Sequence, residues 1–117
     1  MSIPDLKAAV PVLPVDDVAK AVEFYATRLG FEKAFELGPY AGVKRGGVMI
    51  HLDGEDNAFR GPTCCRVDVQ AVDALASEME AQGVVHPDEP LETKPWGMRQ
   101  FSVLDGCGNR ITFAEPA

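Results

Sequence analysis

Two stretches of this chain run through the same order of local signals, and that repetition narrows the available folds more than any other feature. An offset of 54 positions lays Val15-Asp16-Asp17-Val18 on Val69-Gln70-Ala71-Val72. In the first half, Ala8 to Pro14 is an apolar, strand-type run. Its Pro11 and Pro14 cannot donate to a ladder, which predicts a strand with a free side. Asp16 and Asp17 begin a helix whose apolar face is Val18, Ala21, Val22, Tyr25 and Leu29, and Gly30 ends it. Strands follow at Phe31 to Leu37, Tyr40 to Lys44 and Val48 to Leu52, parted by Gly38-Pro39 and Gly46-Gly47. In the second half, Thr63 to Val69 is a strand and Ala71 to Gln82 a helix with Val72, Leu75, Ala76 and Met79 on one face. Val84 and Val85 start a short strand, and His86 to Pro95 is a loop. Trp96 to Leu104 is a strand, Asp105 to Asn109 a tight turn, and Arg110 to Ala114 the last strand. Identity between the halves is low, so the repeat is one of pattern. It predicts an α+β fold: two βαβββ modules, about 8–53 and 63–115, forming cupped mixed sheets with the helices outside, in a single domain over 1–117.

A length of 117 residues suits one compact domain. The residues between the halves, Asp53 to Pro62, are polar and glycine-containing and read as a linker. The longest uncharged apolar run, Ala8 to Val15, is far below the roughly 20 residues of a membrane helix. No basic start followed by an apolar stretch marks a signal peptide, so the expected location is the cytoplasm, away from membranes. The net charge of -7 argues against nucleic acid, whose phosphates would be repelled, and suits a cationic ligand. Solubility alone is the ordinary use of such a charge. It is spread evenly, with 6 basic and 9 acidic groups in residues 1–58 and 5 and 9 in residues 59–117. The 3 cysteines form no Cys-x-x-Cys pair. Cys64 and Cys65 are adjacent in a strand and point to opposite faces, and Cys107 lies in a glycine-rich turn; all three read as inert thiols.

Four segments carry a family resemblance. They are Val15 to Tyr25, Arg28-Leu29-Gly30-Phe31, Pro95 to Phe101, and Asp105-Gly106-Cys107-Gly108-Asn109-Arg110-Ile111. Together, and with the repeated layout, they resemble the vicinal-oxygen-chelate superfamily of glyoxalase I, extradiol dioxygenases, fosfomycin-resistance transferases and bleomycin-resistance proteins. The resemblance covers about Ala9 to Glu115. Ala9-Val10-Pro11-Val12-Leu13, Ala21-Val22-Glu23-Phe24, Tyr40-Ala41-Gly42-Val43 and Pro95-Trp96-Gly97 look most like the bleomycin-resistance branch. That branch implies a homodimer that exchanges an N-terminal arm, here Met1 to Lys7 with Pro11 at its root. It also implies capture of a cationic glycopeptide antibiotic at the dimer interface, without chemistry or cofactor. Gly106 and Cys107 depart from the superfamily's usual turn.

Enzymes of the superfamily hold a divalent metal on four inward positions, which the resemblance carries to Val10, Ile50, Cys64 and Thr112. Of these, Cys64 alone is a competent ligand, so no metal site is expected. The rival reading is a metal-dependent lyase, isomerase or dioxygenase with His51, Cys64 and Glu115 as ligands. His51 is the one strand histidine, and alternation places it opposite in face to Ile50, as a groove hydrogen-bonder or simply a satisfied histidine. His86, before Pro87, has no assignable partner.

A flat cationic ligand needs aromatic platforms and carboxylates. Phe35, Tyr40, Phe59, Trp96 and Phe101 are the candidate rings, with core packing the ordinary use of each. Phe35, Tyr40 and Trp96 match aromatic groove positions of the bleomycin binders, whereas Phe24, Phe31, Phe101 and Phe113 are assigned to the core. Where the binders often carry a tryptophan stands Arg66, which would repel a cation unless paired, and Asp68 partly offsets it. Asp53, Glu55, Asp56 and Asp68 are the candidate carboxylates. The expected ligand set is therefore Phe35, Tyr40, His51, Asp53, Arg66, Asp68 and Trp96.

Overall fold

The computed structural model describes residues 2–55 and 61–117. Strand β1 (Val12–Pro14) leads to helix α1 (Val18–Arg28), then β2 (Glu32–Leu37), β3 (Tyr40–Arg45) and β4 (Val48–Asp53). The second half repeats this as β5 (Cys64–Asp68), α2 (Val72–Ala81), β6 (Glu92–Thr93), β7 (Met98–Leu104) and β8 (Arg110–Pro116). The halves build two four-stranded mixed sheets with the same strand order, β1-β4-β3-β2 and β5-β8-β7-β6. In each, the first strand pairs parallel with the last and the remaining pairings are antiparallel. The α+β class and the paired layout are those expected from the repeat.

Local chemistry explains most boundaries. Asp17 caps α1 by accepting the Lys20 N–H at 3.1 Å, and Gly30 leaves the helix at φ +74°. Val18, Ala21, Tyr25 and Leu29 are buried against sheet one, along with Leu13, Ala41, Val43, Ile50 and Leu52. Val72, Ala76 and Met79 of α2 are buried with Val67, Phe101, Val103, Ile111 and Phe113 of sheet two. Each sheet therefore has a helix-covered face and an open face, and strand alternation assigns residues to one or the other except at the register shift between Lys33 and Phe35 in β2.

The two halves are joined through a buried polar hub. Asp105 accepts the Tyr25 hydroxyl at 2.8 Å, the Asn109 backbone N–H at 2.9 Å and the Asn109 amide at 2.9 Å. Asn109 also donates to the Pro14 carbonyl at 2.8 Å and accepts the Thr63 N–H at 3.0 Å. Burial, with the neighbouring Asp105 carboxylate, pushes the Tyr25 phenol far above its ordinary value.

Several expectations are corrected. The first strand spans Val12–Pro14, not Ala8 to Pro14; residues 2–10 make no ladder and are exposed. Val85 forms only an isolated bridge to Val103, and the short strand β6 lies inside the expected loop, pairing with Arg99 and Gln100. Strand β7 starts at Met98, which leaves Trp96 in a turn. Asp53 belongs to β4 and not to the linker. Helix α2 has no side-chain cap of its own at Ala71; the Glu115 carboxylate accepts the Val72 N–H at 2.8 Å instead. Among the described residues, no helix is long and apolar enough to cross a membrane.

Candidate functional site

The open face of sheet one carries a group of rings that local geometry builds. Residues Phe35, Gly42 and His51 lie side by side on β2, β3 and β4, and Leu37, Tyr40 and Asp53 form the next row. A register shift between Lys33 and Phe35 sets Phe35 opposite Gly42. The Phe35 ring then lies over Gly42, where a Cβ would stand 2.3 Å from Phe35 Cε1. The Phe35 and Tyr40 rings are stacked at 16° with centroids 6.3 Å apart. The His51 ring stands at 88° to the first and 82° to the second, 5.2 and 5.3 Å away. Tyr40 Oη and His51 Nδ1 are hydrogen-bonded at 2.9 Å. Partial burial, and then the Asp53 carboxylate, push the Tyr40 phenol up, so it keeps its proton at neutral pH. Asp53 Oδ1 also accepts the Glu55 N–H at 2.9 Å. All four side chains are half-buried, as a preformed site that still meets ligand requires.

The open face of sheet two carries Cys64, Arg66, Asp68, Gln100, Ser102, Arg110 and Thr112 by register. Arg66 is paired: its Nε and Nη2 donate to Asp68 Oδ1 at 3.1 and 2.9 Å. That contact removes most of the repulsion a lone guanidinium would exert on a cation. Trp96 stands out from the β6–β7 turn, 67% exposed. Among the described residues, no hydrogen bond or ring contact joins the Tyr40 group to Arg66, Asp68 or Trp96, so the expected ligand set divides between two faces.

A second polar group on this face had no sequence signal, because its members meet only in space. Glu89 accepts the Ser102 hydroxyl at 2.8 Å and Arg110 Nη1 at 3.1 Å, and Ser102 and Thr112 hydroxyls are 2.8 Å apart. His86 Nε2 lies 3.6 Å from Glu89. Burial alone would raise the Glu89 carboxyl, but the Ser102 and Arg110 hydrogen bonds outweigh it and hold it low. Gly42, by contrast, had a signal: a glycine inside a strand marks close approach by another group.

The carried-over metal positions do not converge. Val10 precedes β1. Ile50 is fully buried on the helix side, contrary to its expected inward place, and His51 takes the open face. Cys64 and Thr112 sit on the other sheet. The rival set fares no better: His51 is on one sheet, Cys64 on the open face of the other, and Glu115 on the helix side capping α2. Among the described residues, no three His, Cys, Asp or Glu side chains are grouped to hold a metal ion. Phe101 is core, packed on Phe113 at 5.4 Å. Phe59 and Asp56 lie outside the described residues.

A cavity of about 350 Å³ opens at the start of α1, lined by Asp17, Lys20, Phe24, Asp105 and Cys107 among others. It contains none of the ring group. Of its carboxylates, Asp17 is committed to the helix cap and Asp105 to the hub.

Residues 4–117 match the family model described as "Glyoxalase superfamily protein". The bleomycin resistance protein of Geobacillus stearothermophilus is similar at 30% identity over 125 aligned positions, covering 92% of this chain and 95% of that protein. A solved bleomycin-binding protein from bleomycin-producing Streptomyces verticillus, complexed with copper(II)-bleomycin, is 31% identical with a TM-score of 0.77, covering 95% of this chain and 97% of that one. The bleomycin resistance determinant encoded on transposon Tn5 matches at a TM-score of 0.80 and 19% identity, covering 95% and 98%, a likeness of fold.

Proposed function

This chain belongs to the glyoxalase superfamily and, within it, to the bleomycin resistance proteins, and from that premise we propose that it captures a cationic aromatic antibiotic of the bleomycin type without transforming it. The observation that carries the reading is the Phe35, Tyr40 and His51 ring group beside Asp53 on an open sheet face. Rings of this kind stack on flat heterocycles and face cations, and a nearby carboxylate supplies the countercharge. Resistance then follows from sequestration. Arg66, Asp68 and Trp96 complete the groove from the other sheet.

The groove is closed by a second copy of the chain in this reading. The radius of gyration is 15.0 Å, against about 13 Å for a compact domain of this length. Ile3, Leu6, Val12 and Leu37 are exposed, and residues 2–10 make no ladder with their own chain. Such an arm is suited to exchange between protomers. Sedimentation equilibrium is expected to return twice the chain mass at micromolar protein. Removing residues 1–10 is expected to weaken the dimer at least about tenfold, because the arm's apolar area leaves the interface. A monomeric full-length chain refutes the dimer, and an undisturbed truncated dimer refutes the arm's part in it.

Calorimetric titration with metal-free and copper-loaded bleomycin tests the function. Saturable binding of about one ligand per chain is expected, with a dissociation constant in the micromolar range or below. The Tyr40→Ala, Trp96→Ala double variant is expected to bind about 100-fold more weakly and to stay folded, since both residues are partly exposed. Undiminished affinity would place the groove elsewhere.

A further inference from the structure

We propose that Lys94 is a resident cation covering one face of Trp96, and that Glu92 receives the charge of an incoming cation when Lys94 withdraws. The turn between β6 and β7 builds the arrangement. Gly97 N–H donates to the Lys94 carbonyl at 3.0 Å, with Pro95 presetting the second turn position. Lys94 N–H donates to Met98 at 2.7 Å, and Ala117 N–H ties Gly97 down from the chain end at 2.9 Å. The backbone of the turn is thus held on both sides of Trp96. Lys94 Nζ stands 5.8 Å from the centre of the Trp96 ring and is ion-paired with Glu92. Glu92 opens β6 and Lys94 follows its last residue, and the ion pair holds the two side chains together. Across the sheet, Glu92 lies in one row with Gln100, Ala114 and Asp68, so its carboxylate sits on the open face that also holds the Arg66–Asp68 pair.

The chemistry is an exchange of like for like. An ammonium over an indole face is what a cationic ligand would offer, and the site is already occupied by one from the chain itself. Entry of an external cation displaces Lys94 and inherits both the ring and the Glu92 carboxylate. Displacement costs the ligand about two- to five-fold in affinity, the scale of an exposed cation–π contact. Lys94 therefore selects against weakly bound small cations and for ligands that add ring stacking to their charge. The inference leans on the capture reading only for the identity of that ligand.

Trp96 is the single tryptophan, so its fluorescence reports this site alone. Caesium and iodide quenching of the free protein is the first experiment. Lys94→Gln is expected to raise the caesium-to-iodide quenching ratio about two- to five-fold, because Glu92 is left uncovered; Glu92→Gln is expected to lower it. Unmoved ratios in both variants overturn the proposal, whatever the antibiotic does. Bleomycin titration follows: Lys94→Gln is expected to bind about three-fold more tightly and Glu92→Gln more weakly, with the Lys94 effect lost in a Trp96→Ala background. Equal or weaker binding by Lys94→Gln overturns the exchange. Shifted quenching ratios in a chain that binds no bleomycin would leave the Lys94 cover standing and remove the capture reading.

Discussion

Asp105→Ala is expected to cost about 4 kcal/mol of folding stability, the largest effect of any single substitution considered for this chain. The carboxylate accepts from the buried Tyr25 hydroxyl, and from the backbone and side-chain amides of buried Asn109. Removing it strands these donors away from water, and each unsatisfied buried group costs roughly 1–3 kcal/mol. The damage spreads between the halves, because Tyr25 belongs to α1 and Asn109 holds the Pro14 carbonyl of β1. Urea unfolding monitored by circular dichroism measures the loss. Tyr25→Phe removes one donor and leaves Asp105 its other partners, so it is expected to cost about 1–2 kcal/mol. A loss below about 1 kcal/mol for Asp105→Ala would mean the hub does not join the halves.

Gly42→Ala is expected to weaken bleomycin capture about tenfold at a stability cost of only about 1–2 kcal/mol. The added Cβ would meet Phe35 Cε1 at 2.3 Å and Cδ1 at 2.9 Å, distances no packed structure sustains. Strand β3 is paired on both sides and cannot yield, so the Phe35 ring must swing off the sheet. The slot beside Tyr40 and His51 then loses one wall. Titration calorimetry on Gly42→Ala, Phe35→Ala and the double variant isolates the cause. In the Phe35→Ala background the glycine change is expected to cost nothing further. Full affinity in Gly42→Ala would detach the Phe35 ring from ligand capture.

The repeat was legible because its signals are local. Capping by Asp17, the apolar stripe from Val18 to Leu29 and the positive-φ Gly30 are each decided within a few residues. The same holds for the strand runs, whose alternation already put His51 and Ile50 on opposite faces. The pairing of Arg66 with Asp68 is local as well, two positions apart on one strand. The family resemblance rests on the same segments. Failures begin where a residue's partner is distant in the chain. Glu115 looked like a possible metal ligand, yet it caps α2 from 43 positions away. Alternation by itself did not show which residue would face Gly42, because a shift of register intervenes before Phe35. Strand β6 is two residues long and exists only because β7 offers it an edge.

By itself, then, the sequence determined the class of fold, the order of elements, the inner and outer faces of most strands and the family, all of which follow from patterns with a period of two to four residues. Tertiary structure alone decided which polar groups meet: Tyr25 with Asp105, Glu89 with Ser102, and Tyr40 with His51 in hydrogen bonds. It also decided that Phe35 lies on Gly42. Such meetings depend on strand register and on how two sheets settle against their helices, which no short window of residues encodes.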